Sequence, residues 1–165
     1  MARSEATPSP RRQELLEAAY AHALRSGLAD LSLRPLAAEI KSSPRVLLYL
    51  FGSKDGLVRA LLARARADEL AAMRRLAAAR DPAAGLGPIA RELWRGLSED
   101  AHRGLLTLGV ESYARALVEP DGPWAGVASD TVEDWLALLA AGQRPEVRDT
   151  AAGLARRTLV LATLR

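Results

Sequence analysis

Ser43 and Pro44 stand side by side, two residues after the amphipathic stretch "SLRPLAAEI" and directly before the unbroken apolar run Val46 to Phe51. By periodicity alone that run reads as a short buried strand between Pro44 and Gly52. The Ser-Pro pair decides against it. Serine is a preferred N-cap, and proline suits the first helical position, where an N–H has no intrahelical acceptor; in a central strand the same proline would break the ladder. The run is therefore expected to be a helix, with Leu47 and Phe51, four apart, pointing inward. Upstream, Leu33, Leu36, Ala37 and Ile40 share one face of a two-turn helix opened by Ser32, and Pro35 is tolerable in its first turn. Only Lys41 and Ser42 separate the two. Short helices joined so tightly form a helix-turn-helix, whose second helix is shaped to enter a DNA major groove.

The remainder is also helical in pattern. Ala, Leu, Arg and Glu dominate and strand-like alternation is nearly absent, so the fold class is all-α. After the polar, proline-bearing arm 1–10, expected to be disordered, a first helix runs from about Arg11 to Arg25 and ends at Gly27, where a left-handed cap is expected. Ser53 caps a fourth helix that can reach about Arg80, with Asp55 placed favourably in its first turn. Further helices are expected near 88–98, 101–118, 124–141 and 146–165. The division expected is a DNA-binding helix-turn-helix domain over 11–53 and a larger helical domain over 54–165. The helical pattern persists to Arg165, so the native chain is expected to continue.

Charge and composition exclude more than they identify. The formal net charge is only +3, built from 23 basic and 20 acidic residues, so any surface for a polyanion must be local. With no cysteine there is neither a disulfide nor a thiolate metal site nor a cysteine nucleophile, which fits a cytoplasmic location. The apolar stretch "TLVLATL" falls far short of the roughly 20 residues that span a bilayer, so no membrane partner is expected. An enzyme is disfavoured: the chain has two histidines, no zinc-binding HExxH, no P-loop and no dinucleotide fingerprint. No catalytic residue, metal or cofactor is expected.

Residues 27–62, "GLADLSLRPLAAEIKSSPRVLLYLFGSKDGLVRALL", resemble the DNA-binding domain of TetR-type transcriptional repressors, with Gly27 and Ser32 before the helix pair, "LRPLA", Ser43 opening the recognition helix, Phe51 closing it and "SKDGL" opening the connecting helix. The resemblance implies a bacterial one-component regulator. It implies DNA contact from Ser32 and Arg34 on the second helix, Ser43, Pro44, Arg45, Val46 and Tyr49 on the third, and Lys54 at the start of the fourth. Arg45 has the reach for a bidentate pair with guanine and Val46 for a thymine methyl, while Ser32, Lys54 and the helix N-termini suit phosphate. Arg11 and Arg12 are candidates for backbone or minor-groove contacts. The chain departs from the family at three places: Lys41 replaces a usual glycine, Leu48 a tyrosine and Leu50 a histidine. Tyr49 stands where it can take over some of the phosphate contact that Leu48 and Leu50 lack.

The resemblance further implies a small-molecule pocket among the middle helices and a homodimer built from the last ones. Trp94, Tyr113, Trp124 and Trp135 are candidates for its apolar wall, and His102, Glu111, Arg91 and Arg115 for its polar groups. The expected function is a repressor that leaves a palindromic operator of double-stranded DNA when a small apolar or aromatic effector binds. The alternative is a helical architectural or interaction protein that binds DNA without an effector.

Overall fold

A computed structural model describes residues 9–78 and 85–164, and among them there are helices and connecting turns but no strand. Helices α1 (Pro10–Ser26), α2 (Leu33–Glu39) and α3 (Pro44–Phe51) form a three-helix head. Helix α4 (Lys54–Ala78) leads into α5 (Leu86–Leu97), α6 (Arg103–Val118), α7 (Val127–Ala141), the single turn α8 (Pro145–Arg148) and α9 (Ala151–Leu164).

The head forms for the local reasons that its sequence announces. Ser43 Oγ accepts from the Val46 N–H at 3.3 Å with Pro44 directly behind it, so the apolar run is α3 and not a strand. Leu47 and Phe51 are both buried. Gly27 closes α1 with φ +76° and ψ −177°, an extended form of the positive-φ region that is essentially restricted to glycine. Ser32 holds the N-cap position of α2 but its side chain makes no cap hydrogen bond. The third residue of α2 is Pro35, which has no N–H to donate.

Helix α4 is described as far as Ala78, and its expected end near Arg80 lies outside the described residues. Several other boundaries differ from expectation. Helix α5 begins at Leu86, ahead of Pro88, which its first turn accommodates; a 3₁₀ turn over Asp100–His102 precedes α6. Helix α7 begins at Val127 and not near 124, because Gly126 at φ +77° interrupts the helical path and Trp124 drops into the core from the turn before it. The expected helix 146–165 is broken into α8 and α9. Thr150 Oγ1 donates to the Val147 carbonyl at 2.8 Å and accepts from the Gly153 N–H at 3.0 Å, which ends one helix and caps the next.

Two apolar clusters hold the chain together. The first joins Leu15, Leu36 and Leu47 of the head to Leu57 and Leu61 of α4, Leu108 of α6 and Trp124. The second gathers Met73, Leu93, Trp135, Leu139 and Leu161 from α4, α5, α7 and α9. Each leucine buried to this degree contributes about 1.5–3 kcal/mol. A polar clasp ties α1 to α4: the Tyr20 hydroxyl donates to Asp68 at 2.9 Å, and Arg64 lies 4.7 Å from the Tyr20 ring centroid while pairing with Glu17. Burial first, and then the bond to Asp68, raises the Tyr20 pKa well above its ordinary value.

Candidate nucleic-acid interface and effector cavity

The candidate reading face is built from three helix starts and one exposed helix flank. Ser32, Arg34, Pro44 and Lys54, from α2, α3 and the first turn of α4, border one open concavity with Asp30 on its rim. Beside it α3 turns Arg45, Val46 and Tyr49 outward, and Tyr49 is 86% exposed. Ser43 is half-buried and engaged as the cap. Among the described residues Arg34, Arg45 and Lys54 make no ion pair, whereas elsewhere in the head Arg25 and His22 both hold Glu39. The Arg25 hydrogen bond, with that of His22 behind it, lowers the Glu39 pKa. Unpaired cations beside a helix N-terminus suit phosphate, and an exposed helix flank suits base edges.

The arm-proximal arginines have partners within the head. Arg11 pairs with Glu14 at 2.7 Å. Arg12 lies 4.8 Å from the Phe51 ring centroid and its Nε donates to the Leu50 carbonyl at 3.4 Å, so it braces the C-terminal end of α3. No local signal marked that role, because the partners are 38 residues away. At the family departures, Leu48 is exposed, Leu50 is half-buried against the head core, and Lys41 adopts φ +53°.

The eight residues expected at an effector pocket separate in space. Tyr113 borders a small cavity between α4, α6 and α7, about 40 Å³ in volume, together with Leu62, Arg66, Glu69, Ser112 and Thr131. Trp135 is buried behind it, with its indole N–H donating to Glu69 at 3.0 Å. Trp124 packs in the first core cluster. Trp94 is 58% exposed and lines, with Arg91, a shallow groove between α5 and the end of α9. His102 sits in the 3₁₀ turn with its Nδ1 3.9 Å from Glu99. Glu111 accepts from the Leu28 N–H at 2.7 Å and Arg115 donates to the Ala29 carbonyl at 3.2 Å, so both engage the head. At the cavity wall Arg66 is held by Asp130 and Asp134, whose hydrogen bonds and charges raise its pKa, the Asp134 bond most. The α4 wall residues Leu62, Arg66 and Glu69 follow i, i+4, i+7 spacing, a signal present in the sequence but indistinguishable there from a core stripe.

Solved structures share this fold. A TetR-family member from Streptomyces coelicolor A3 is 30% identical, with 94% of this chain and 98% of that one covered at a TM-score of 0.62. The chain belongs to the TetR family of transcriptional regulators. The multidrug binding protein EbrR, solved in complex with ethidium, is likewise 30% identical over 93% of this chain and 98% of that one, with a TM-score of 0.64. A transcriptional regulator from Rhodococcus sp. Rha1, at 23% identity, 93% and 79% coverage and a TM-score of 0.70, shares the fold. No protein-family model and no curated protein matches the chain. This TetR-family chain is a transcriptional regulator and not an enzyme. Among the described residues no acidic, histidine or cysteine group is placed to hold a metal ion, and no helix is long and apolar enough to cross a membrane.

Proposed function

We propose that this regulator is a bacterial, cytoplasmic homodimeric repressor that holds a near-palindromic operator and releases it on binding a mainly apolar or aromatic effector. The observation that carries the DNA half is the gathering of Ser32, Arg34, Pro44 and Lys54 around one concavity beside the exposed Arg45, Val46 and Tyr49 flank, with the cations left unpaired. Two such heads must sit about 34–36 Å apart to meet successive major grooves. Selection of bound fragments from random DNA tests this: inverted half-sites about one helical turn apart are expected, and recovery of no symmetric site overturns it.

The effector half is supported by the cavity between α4, α6 and α7. Its apolar wall, the Tyr113 ring and the Glu69 carboxylate suit planar aromatic molecules, cations included. Ethidium and proflavin, both seen bound to EbrR, are the first probes. A volume of about 40 Å³ admits little more than one water-sized group, so an effector must stabilise a form in which α6 and α7 stand further apart. That closed state is also the one observation favouring a DNA-binding architectural protein without an effector. A ligand that raises Tm should weaken operator binding in parallel; stabilisation with operator affinity unchanged at saturation would remove the gating.

A further inference from the structure

We infer that Glu111 is a positioning residue that fixes the reading head on the body and thereby sets which operator half-site spacing the protein accepts. The inference rests on the DNA-binding homodimer proposed above. It starts from a buried backbone group. Leu28 is 2% exposed and follows the end of α1, whose last cap bond, from the Gly27 N–H to the Ala23 carbonyl, is already made. The Leu28 N–H finds its partner 83 residues away, in the Glu111 carboxylate at 2.7 Å. A charge-assisted bond to a buried backbone N–H is stronger than a neutral one and cannot be replaced by water without opening the site.

The turn itself is shaped around this carboxylate. The space that a Cβ on residue 27 would fill is occupied by the Glu111 carboxylate oxygens, and Gly27 also has the positive φ that glycine tolerates. One turn further along α6, Arg115 donates to the Ala29 carbonyl while its other amine holds Glu119 at 2.6 Å. Near the start of the same helix Gly104 lies against the Leu24 carbonyl. Positions 104, 111 and 115 fall on one stripe of α6 and all meet backbone of the stretch 24–29. Backbone has no rotamers with which to absorb a shift. Three residues later the chain enters Ser32 and α2, so a displacement of this turn carries the helix-turn-helix with it. On the same helix Ser112 and Tyr113 wall the effector cavity.

A dimer gains from its second head only where both heads reach their half-sites at once, a gain of about a hundredfold or more. Removing Glu111 should loosen the angle at which that condition is met while leaving each head's own groove contacts in place. The test measures binding of the full chain to a series of operators whose half-sites are separated by stepwise longer spacers, and to a single half-site. The wild type should favour one spacing sharply. Glu111→Ala should flatten that profile with single-half-site affinity unchanged, Glu111→Gln, which keeps an acceptor for the Leu28 N–H, should restore most of it, and Arg115→Ala should flatten it less. An unaltered profile in Glu111→Ala, or an equal loss at every spacing and on the single half-site, would overturn the inference. If Glu111→Ala fails to fold, Arg115→Ala decides by the same profile. A wild-type protein that binds no DNA at any spacing would instead remove the proposed function on which the inference stands.

Discussion

The head and the body leave different kinds of surface unsatisfied. On the candidate reading side of the head, Arg34, Arg45 and Lys54 have no carboxylate partner among the described residues, and the large apolar residues exposed there, Val46, Leu48 and Tyr49, all belong to α3. In the body the charges facing the cavity are paired, while apolar residues are exposed along α6 at Leu106, Val110 and Leu117 and on α9 at Leu154 and Leu159. Unpaired cations suit a polyanion, and uncovered apolar stripes suit protein or small aromatic partners. The contrast teaches that two regions of one chain can leave opposite kinds of surface open, one of charge and one of apolar side chains.

The largest expected effect tests how far the two regions are separate. Leu36→Ala removes a fully buried side chain from the first cluster and should destabilise the protein by about 2–5 kcal/mol. Because that cluster also holds Leu57, Leu61, Leu108 and Trp124, hydrogen exchange should lose protection in α1–α3 and the first half of α4 before α7 and α9. Uniform loss across the chain would show one cooperative unit and break the contrast.

Next in size are the unpaired cations. Arg45→Ala should weaken the selected operator by about 1–3 kcal/mol and relax preference at one base position. Lys54→Ala should weaken all sequences alike and reduce the salt slope by about one unit. Fluorescence anisotropy over a salt series separates the two, and identical behaviour would merge their roles. In the body, Leu159→Glu places a charge on the exposed α9 stripe and should shift a monomer–dimer equilibrium toward monomer in sedimentation. An unchanged sedimentation profile would put dimer formation elsewhere.

The smallest effect concerns the tight turn of the head. Lys41 holds φ +53°, a conformation that disfavours residues with a Cβ, so Lys41→Gly should raise stability by up to about 1 kcal/mol, read as an increased Tm. A fall in Tm would mean that the loss of chain entropy in folding glycine outweighs the relief of strain.

The helix starts and stops of the head were legible because their causes lie within four residues. Ser43 finds the Val46 N–H, Ser53 finds the Gly56 N–H, and Gly27 takes its positive φ at the end of α1. The breaks at Gly126 and Thr150 use the same local chemistry, yet they stand inside strongly helical sequence, and the pattern around them masked them. The eight residues chosen for the pocket were aromatic and ionisable groups of the middle helices. Periodicity gives a residue's face but not which neighbour that face meets, and Trp94 is exposed on α5 while Trp135 is buried behind the cavity.

What the sequence by itself determined was an all-helical chain with a helix-turn-helix, the second helix of that pair and the residues on its outer flank. Capping and apolar spacing act through neighbouring residues, so they can be read along a line. The tertiary structure alone decided that Arg12 braces the end of α3, that Glu111 holds the turn after α1, and that the cavity lies between α4, α6 and α7. Each of these joins groups that the chain separates by tens of residues, and they meet only because burial of the two apolar clusters brings their helices together.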